Sequence, residues 1–436
     1  MKKIIPLTGW ALCTSAVLIF AGCARNQDMA AAEETVVAPA KGSTPFTRTQ
    51  GVPDGVKTPL GLTVPKGFEI NVFAEGLNNP RRFAIAPGAT PGKYDVFVSE
   101  SRANRIRVLR EANGDGKADE KLTFTENVSQ PYGIAFHSSG WVYIANTDAV
   151  VRFPYKAGQT SSDKGAQEIA KLTPGGYNQH WTRNLLFSRD GKKLYVSVGS
   201  SCNTCEEDDP QRAAISVMEP DGKGKRVLAG GLRNPVGMAL RPGSDDLWTV
   251  VNERDWLGDD VAPDYLTQVK DGGFYGWPYA YTNIDGTIVP DPKFGDKAPD
   301  KVKSTLAATV PVQAHSAALG LAFYDYEIIG GPFFGKGPKS DYRVGKPGAR
   351  LFPKEYTGDA FLGFHGSWNR SERTGYKIVR INFENGKAVS ISDFVTGFLK
   401  DGNVSGRPVD VQIAPDGSLL FSDDDGGKIW RVSRAK

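Results

Sequence analysis

This sequence lacks an excess of either charge. Over 436 residues, 53 Lys and Arg face 49 Asp and Glu, a formal net charge of +4. Loss of the first residues, with Lys2 and Lys3, would bring it to about +2. Nothing in that balance asks for nucleic acid, and no basic stripe is present to bind it. The charge surplus of a disordered chain is missing too. Cysteines number only four. No His follows the pair in Cys202-Asn203-Thr204-Cys205, which excludes a haem attachment motif, and zinc would need further ligands that are not apparent nearby. No linker interrupts the chain after residue 65, which argues against separate β-sandwich domains with cores of their own.

What is present suits many short strands joined by tight turns: 50 Gly, 28 Pro and plentiful Trp and Tyr. The N-terminus reads as an export signal. Met1-Lys2-Lys3 is positive, Ile4 to Phe20 is mostly apolar, and Phe20-Ala21-Gly22-Cys23 resembles a bacterial lipobox, with residues 1–22 as the signal peptide and lipid on Cys23. The other reading is an uncleaved transmembrane anchor, for which the run is short and the Ala-Gly-Cys step has no role. Ala24 after the cysteine favours the outer membrane, with the protein facing the periplasm of the cell envelope. Residues 23–64 then serve as a disordered tether, since they hold little apolar surface. In such a compartment Cys202 and Cys205 are expected to form a small disulfide that pins a loop.

The fold follows from repetition. A Pro turn, an apolar run, a Pro/Asp-Gly turn and an alternating strand recur. Examples are Pro131-Tyr132-Gly133-Ile134-Ala135-Phe136 followed by Trp141-Val142-Tyr143-Ile144, and Pro235-Val236-Gly237-Met238 followed by Leu247-Trp248-Thr249-Val250. Pro80, Pro131, Arg183 and Pro235 are 51, 52 and 52 residues apart. A period near that length, made of short strands, predicts an all-β chain with one propeller blade per repeat. A looser fifth unit and a sixth bring the total to six over residues 65–436. Arg105-Ile106-Arg107-Val108-Leu109 and Lys428-Ile429-Trp430-Arg431-Val432 read as outer strands, because they alternate polar and apolar residues.

A propeller places its sites on loops at one mouth of the channel, so polar residues at repeat starts are the candidates. His180 precedes the third inner strand, Arg233 and Asn234 the fourth, and Arg407 the sixth; Arg81 and Arg82 follow the first turn. Arginines around one His would suit a multiply anionic ligand beside a base. The bland alternative for each is a turn cap paired with a blade carboxylate. Asn252-Glu253-Arg254-Asp255-Trp256-Leu257-Gly258-Asp259-Asp260 offers oxygen ligands of the kind calcium needs, or is a solvated acidic loop. Glu111 to Asp119 has the look of a calcium loop but places Leu122 where a bidentate Glu belongs, and reads as a hairpin turn.

The segments Gly230-Gly231-Leu232-Arg233-Asn234-Pro235-Val236-Gly237, Glu253 to Asp260, Lys270-Asp271-Gly272-Gly273-Phe274-Tyr275-Gly276-Trp277-Pro278, Ser197 to Ser200 and Gly366-Ser367-Trp368-Asn369-Arg370 resemble the glucose/sorbosone dehydrogenase family. These are six-bladed propellers that use pyrroloquinoline quinone (PQQ) and Ca²⁺. The resemblance covers nearly everything after residue 65. It implies that His180 is the general base toward a sugar's anomeric hydroxyl and that hydride passes to the quinone. It places Arg233 at the quinone oxygens as a catalytic cation, has Asn234, Arg407 and Arg370 hold the cofactor, and makes Glu253, Asp259 and Asp260 the calcium site. Val409 stands where the glucose enzymes carry a second Arg, and Asn369 where they carry a Lys, which points toward the L-sorbosone dehydrogenase-like branch. The implied substrate is an aldose or sugar aldehyde, with a separate quinone or cytochrome taking the electrons onward. A calcium-dependent lactonase and a non-catalytic binding propeller are the alternatives.

Overall fold

Alternating apolar residues bury one side of a strand, and four such strands make a blade that must stack on its neighbours to cover both faces. The computed structural model describes residues 46–90, 93–175, 180–324 and 351–435. They form six antiparallel blades, as the repeat spacing predicts. The first four begin with inner strands Pro80–Pro87, Ile134–His137, Arg183–Phe187 and Asn234–Leu240. The fifth and sixth begin with Ala318–Phe323 and Pro408–Ile413. Between blades lie apolar layers such as Phe97, Phe124, Phe136 and Phe153, each side chain of this kind contributing about 1.5–3 kcal/mol on burial. The loop at 111–119 is a hairpin turn. Asp119 accepts from the Ala112 and Asn113 amides, and Glu111 accepts from Gly116 N–H.

The inner strands approach each other closely about the axis. A Cβ on Gly133 would lie 2.8 Å from Arg183 O, one on Gly237 2.6 Å from Leu319 O, and one on Gly320 2.6 Å from Val409 O. These contacts explain the Gly that recurs after the turn. The same level of the ring carries Asn184, whose Nδ2 donates to Val236 O, and a buried Arg82–Asp410 pair at 2.5 Å. Directly beside it Tyr132, Val236, Leu319 and Val409, from four different blades, form an apolar plug with Trp181 against it. Val409 is fully buried there, where a cation would be sealed among apolar side chains.

Three expectations need correction. The strands Arg105–Arg110 and Lys428–Arg434 are third strands, not outer ones. Their outer neighbours are Glu120–Thr125 and, for the sixth blade, Phe68–Ala74 from the other end of the chain. Trp430 pairs with Val72 and Val432 with Ile70, so the ring is closed by a strand from before the first repeat. The tether expected through residue 64 is also too long. Thr47–Thr49 adds a parallel fifth strand to the fifth blade, and Leu62 and Val64 are buried. Residues 1–22, Cys23 and the chain up to 45 lie outside the described residues.

Candidate functional site

Antiparallel pairing sets the start of each inner strand beside the end of the second strand of the same blade. Residues entering the first and leaving the second strand therefore gather at one mouth.

His180 lies three residues before the inner strand Arg183–Phe187, and Ser200 follows the second strand Leu194–Val198. Ser200 Oγ donates to Cys202 O at 2.6 Å, so toward His180 Nδ1, 3.0 Å away, it can only accept. That assigns the proton to Nδ1 and leaves Nε2 as the basic nitrogen. Burial pushes the His180 pKa well below its usual value, and the Arg233 charge lowers it further. The imidazole is thus held neutral, lower than the near-neutral base anticipated from residue type.

Arg233 is 2% exposed, and all five of its N–H bonds are directed into the protein. Nε donates to Asn203 O, and Nη1 to the carbonyls of Asn252 and Glu253. Nη2 donates to Asn203 Oδ1 and, at 2.7 Å, to Asp255 Oδ2. The edge of the guanidinium is used up, so what it offers a ligand is its planar face and its charge. Asn203 belongs to the loop closed by the Cys202–Cys205 disulfide. Its Oδ1 also accepts from Asp255 N, and its carbonyl accepts from Trp277 Nε1. The short ring of the disulfide therefore fixes both the acceptor that orders Arg233 and the carbonyl that sets the His180 tautomer.

Asp255 is a hub. Its other oxygen accepts from Asn369 Nδ2 at 2.6 Å and lies 3.8 Å from His315 Nδ1. A second hub is Asp424, paired with Arg81 at 2.5 Å and with His365 Nε2 at 2.9 Å. Burial lowers His365 to about 4, against the pull of Asp424. Burial also opposes ionisation of Asp424, but His365 and Arg81 outweigh it and hold the carboxyl well below the usual range. Arg407 differs from the other mouth arginines. Its guanidinium donates to the carbonyls of His365 and Gly366, and among the described residues it has no carboxylate partner. It stands 5.5 Å from the Tyr376 ring.

Asn234 and His180 are brought together by Gly199. A Cβ there would meet Asn234 Oδ1 at 2.3 Å and His180 Cβ at 3.1 Å. Asn234 Oδ1 is buried without a hydrogen-bond partner among the described residues. Gly199→Ala is expected to displace Asn234 and the imidazole by a few tenths of an ångström or more and to lower kcat/KM by about 10–100-fold. Circular dichroism of the variant should still report the β fold. Activity within two-fold of the parent would show that this contact is not critical.

The expected calcium trio is not gathered. Asp259 accepts from Ser371 N–H and Oγ–H, while Asp260, 84% exposed, pairs with Arg370 at 2.8 Å. Arg370 also donates to Asp259 O and so ties the two loops together. Glu253 turns inward. It is 3% exposed, its Oε1 has no hydrogen-bond partner among the described residues, and burial raises its pKa to about 8 despite the nearby Arg233. Among the described residues only Cys202, Cys205 and Glu207 bring three potential ligand atoms together, and those sulfurs are joined to each other.

A multiply anionic cofactor with a divalent cation fits this set. Among the described residues Arg407 is a cation without a neutralising carboxylate, Asn234 Oδ1 is an acceptor with no donor, suited to a donor or a cation, and Glu253 is a buried carboxyl that a cation would favour in its ionised form. Asp255 lies within the 252–260 loop named from sequence, whereas His315, His365 and Asp424 were not singled out by motif. One signal was available: His315 lies three residues before the inner strand Ala318–Phe323, the same offset as His180.

The sequence model of a family described as TrAA12-like matches residues 62–435. A Borreliella burgdorferi protein described as uncharacterized is 28% identical over 396 residues, covering 85% of this chain and 90% of its own. A pyrroloquinoline quinone-dependent sugar dehydrogenase of Hypocrea jecorina is 25% identical over 260 residues, 52% of this chain and 58% of that one. The holo form of the pyranose dehydrogenase PQQ domain from Coprinopsis cinerea superposes with a TM-score of 0.66 at 19% identity, covering 89% of this chain and 100% of that one; at this identity the likeness is one of fold.

Proposed function

We propose that this chain, which belongs to the TrAA12-like family, is a quinone-dependent sugar dehydrogenase that uses PQQ and Ca²⁺. The observation that carries the reading is the buried His180, whose Nδ1 lies 3.0 Å from Ser200 Oγ and whose pKa is lowered by burial and by Arg233. The relatives that name PQQ support it.

His180 Nε2 takes the proton of the sugar's anomeric hydroxyl, and the Ser200–Cys202 bond keeps the ring in the tautomer that can do so. When bound, PQQ supplies the acceptor for the hydride that leaves the same carbon, so an aldose becomes its lactone and a sugar aldehyde such as sorbosone, as its hydrate, becomes the acid. Arg407 would hold the cofactor's anionic edge, Asn234 Oδ1 would face a hydrogen-bond donor or the cation, and Arg233 would offer its planar face. Glu253 would supply a hard oxygen ligand for the cation. A lactonase is less well supported. The mouth carboxylates Asp255, Asp410 and Asp424 are each neutralised by an arginine instead of forming an acidic cage. A lipid on Cys23 would hold the enzyme at the cell envelope, facing the periplasm, near the quinone or cytochrome that removes its electrons.

Purified protein with PQQ, Ca²⁺, a dye acceptor and a panel of aldoses and sugar aldehydes is expected to reduce the dye. Absence of PQQ binding by titration would sink the proposal.

A further inference from the structure

Sugar oxidation at C1 has a geometric corollary. Only the reducing end of a saccharide carries a free anomeric hydroxyl, so the rest of a longer substrate must run outward across the rim of the mouth. The rim carries a feature suited to that. Trp256 and Trp368 are 64% and 55% exposed, whereas the other large exposed apolar side chains among the described residues, Val56, Leu60, Ile284 and Leu306, are aliphatic. The two indoles touch edge to face, with ring centroids 5.4 Å apart at 85°.

Their place is set by the site itself. Trp256 follows Asp255 and Trp368 precedes Asn369, and Asn369 Nδ2 donates to Asp255 Oδ1 at 2.6 Å. The pair thus straddles the seam between the fourth and fifth blades, one residue from the hub that orders Arg233. Trp256 also has a φ of +70°, a left-handed conformation that a bulky side chain adopts only when its surroundings impose it, and such strain concentrates at functional positions. In the same loop as Trp256 the Asp260 carboxylate is exposed, and it pairs with the largely buried Arg370 at 2.8 Å.

We propose that Trp256 and Trp368 form an aromatic platform for the outer rings of an oligosaccharide whose reducing end enters the mouth. The proposal rests on the sugar dehydrogenase reading. A pyranose presents C–H bonds on its faces, which pack on indole, and hydroxyls at its edge, which bond to carboxylate and guanidinium. Size favours a sugar over a protein electron carrier. Two half-exposed indoles offer about 250 Å² in all, far below the roughly 800 Å² per partner of a specific protein interface, and about the footprint of one or two sugar rings.

The test is a tryptophan fluorescence titration with glucose, cellohexaose and maltohexaose, run beside dye-coupled kinetics with the same sugars on the PQQ-loaded enzyme. At least one hexasaccharide is expected to bind ten-fold or more tightly than glucose, about 1.4 kcal/mol. That preference should fall to about one in Trp256→Gly plus Trp368→Ala, glycine being chosen because it accepts the positive φ. Equal affinity for glucose and both hexasaccharides, survival of the preference in the double variant, or an effect of the variant confined to reoxidation by a cytochrome would each overturn it. If glucose is oxidised but no preference exists, the platform falls and the dehydrogenase stands. If hexasaccharide binds in a tryptophan-dependent way but no sugar is oxidised, the dehydrogenase reading falls and the platform remains as a binding site.

Discussion

His180→Ala is expected to lower kcat/KM for sugar oxidation by about 10²–10⁴-fold, the usual contribution of a positioned general base. The loss should appear with the fold intact, because the ring lies at the mouth and not within a blade. PQQ affinity, measured by titration, should change far less than the rate. A second signature concerns pH. Burial and Arg233 depress the His180 pKa, so the basic form persists to lower pH than for a free imidazole. The acid limb of the kcat/KM profile should therefore fall below pH 6.5, the ordinary value. An acid limb at or above 6.5, or a variant retaining a third of the parent's activity, would remove His180 from the role of base.

Asp255→Ala carries the second large effect, and it acts on stability and ligand together. Arg233 would lose the carboxylate it meets at 2.7 Å, and removing one partner of such a buried pair costs about 3–5 kcal/mol. At about 2–4 °C per kcal/mol for chains of 150–250 residues, and less for larger ones, the thermal midpoint should drop by roughly 5–15 °C. Asn369 loses its acceptor as well, so one of the ties between the fourth and fifth blades at the rim is lost and PQQ affinity is expected to fall with the midpoint. Asp255→Asn keeps one acceptor oxygen for Arg233 and should lie between the two. A midpoint for Asp255→Ala within 1 °C of the parent would mean that Arg233 finds compensation elsewhere.

Much of this architecture was legible because it repeats. The turn Pro and the Gly two residues later mark inner strands whose backbones nearly touch, and steric closeness leaves a strong trace in sequence. The charge pattern was legible only by half. Arginines at repeat starts were visible, but Arg81 meets Asp424 across 343 residues and Arg82 meets Asp410 across 328, so the partner that decides whether an arginine is structural or available lies in another blade. Arg82 and Asp410 illustrate the point. They fill axial positions that glycine fills elsewhere, and no local pattern joins them. The partners of Asp259 and Asp260 were hidden for a similar reason: Arg370 and Ser371 of the next blade bond to them. The outer strand Phe68–Ala74 was missed because its partner is the last strand of the chain and it has no turn signature of its own.

That outer strand has a consequence for the order in which the molecule is made. The sixth blade joins one of the earliest folded segments to the last, with Glu69 opposite Ser433. A growing chain can complete blades one to four as they emerge, yet it cannot complete the ring until Lys428–Arg434 has been synthesised. Until then Phe68–Ala74 is an open strand edge with nothing to pair with, the kind of edge that invites association between chains. Closure between such distant segments is intrinsically slow. The interval between finishing synthesis and closing the ring is therefore where this protein is most exposed to loss, and where a chaperone that covers a single strand would protect it best.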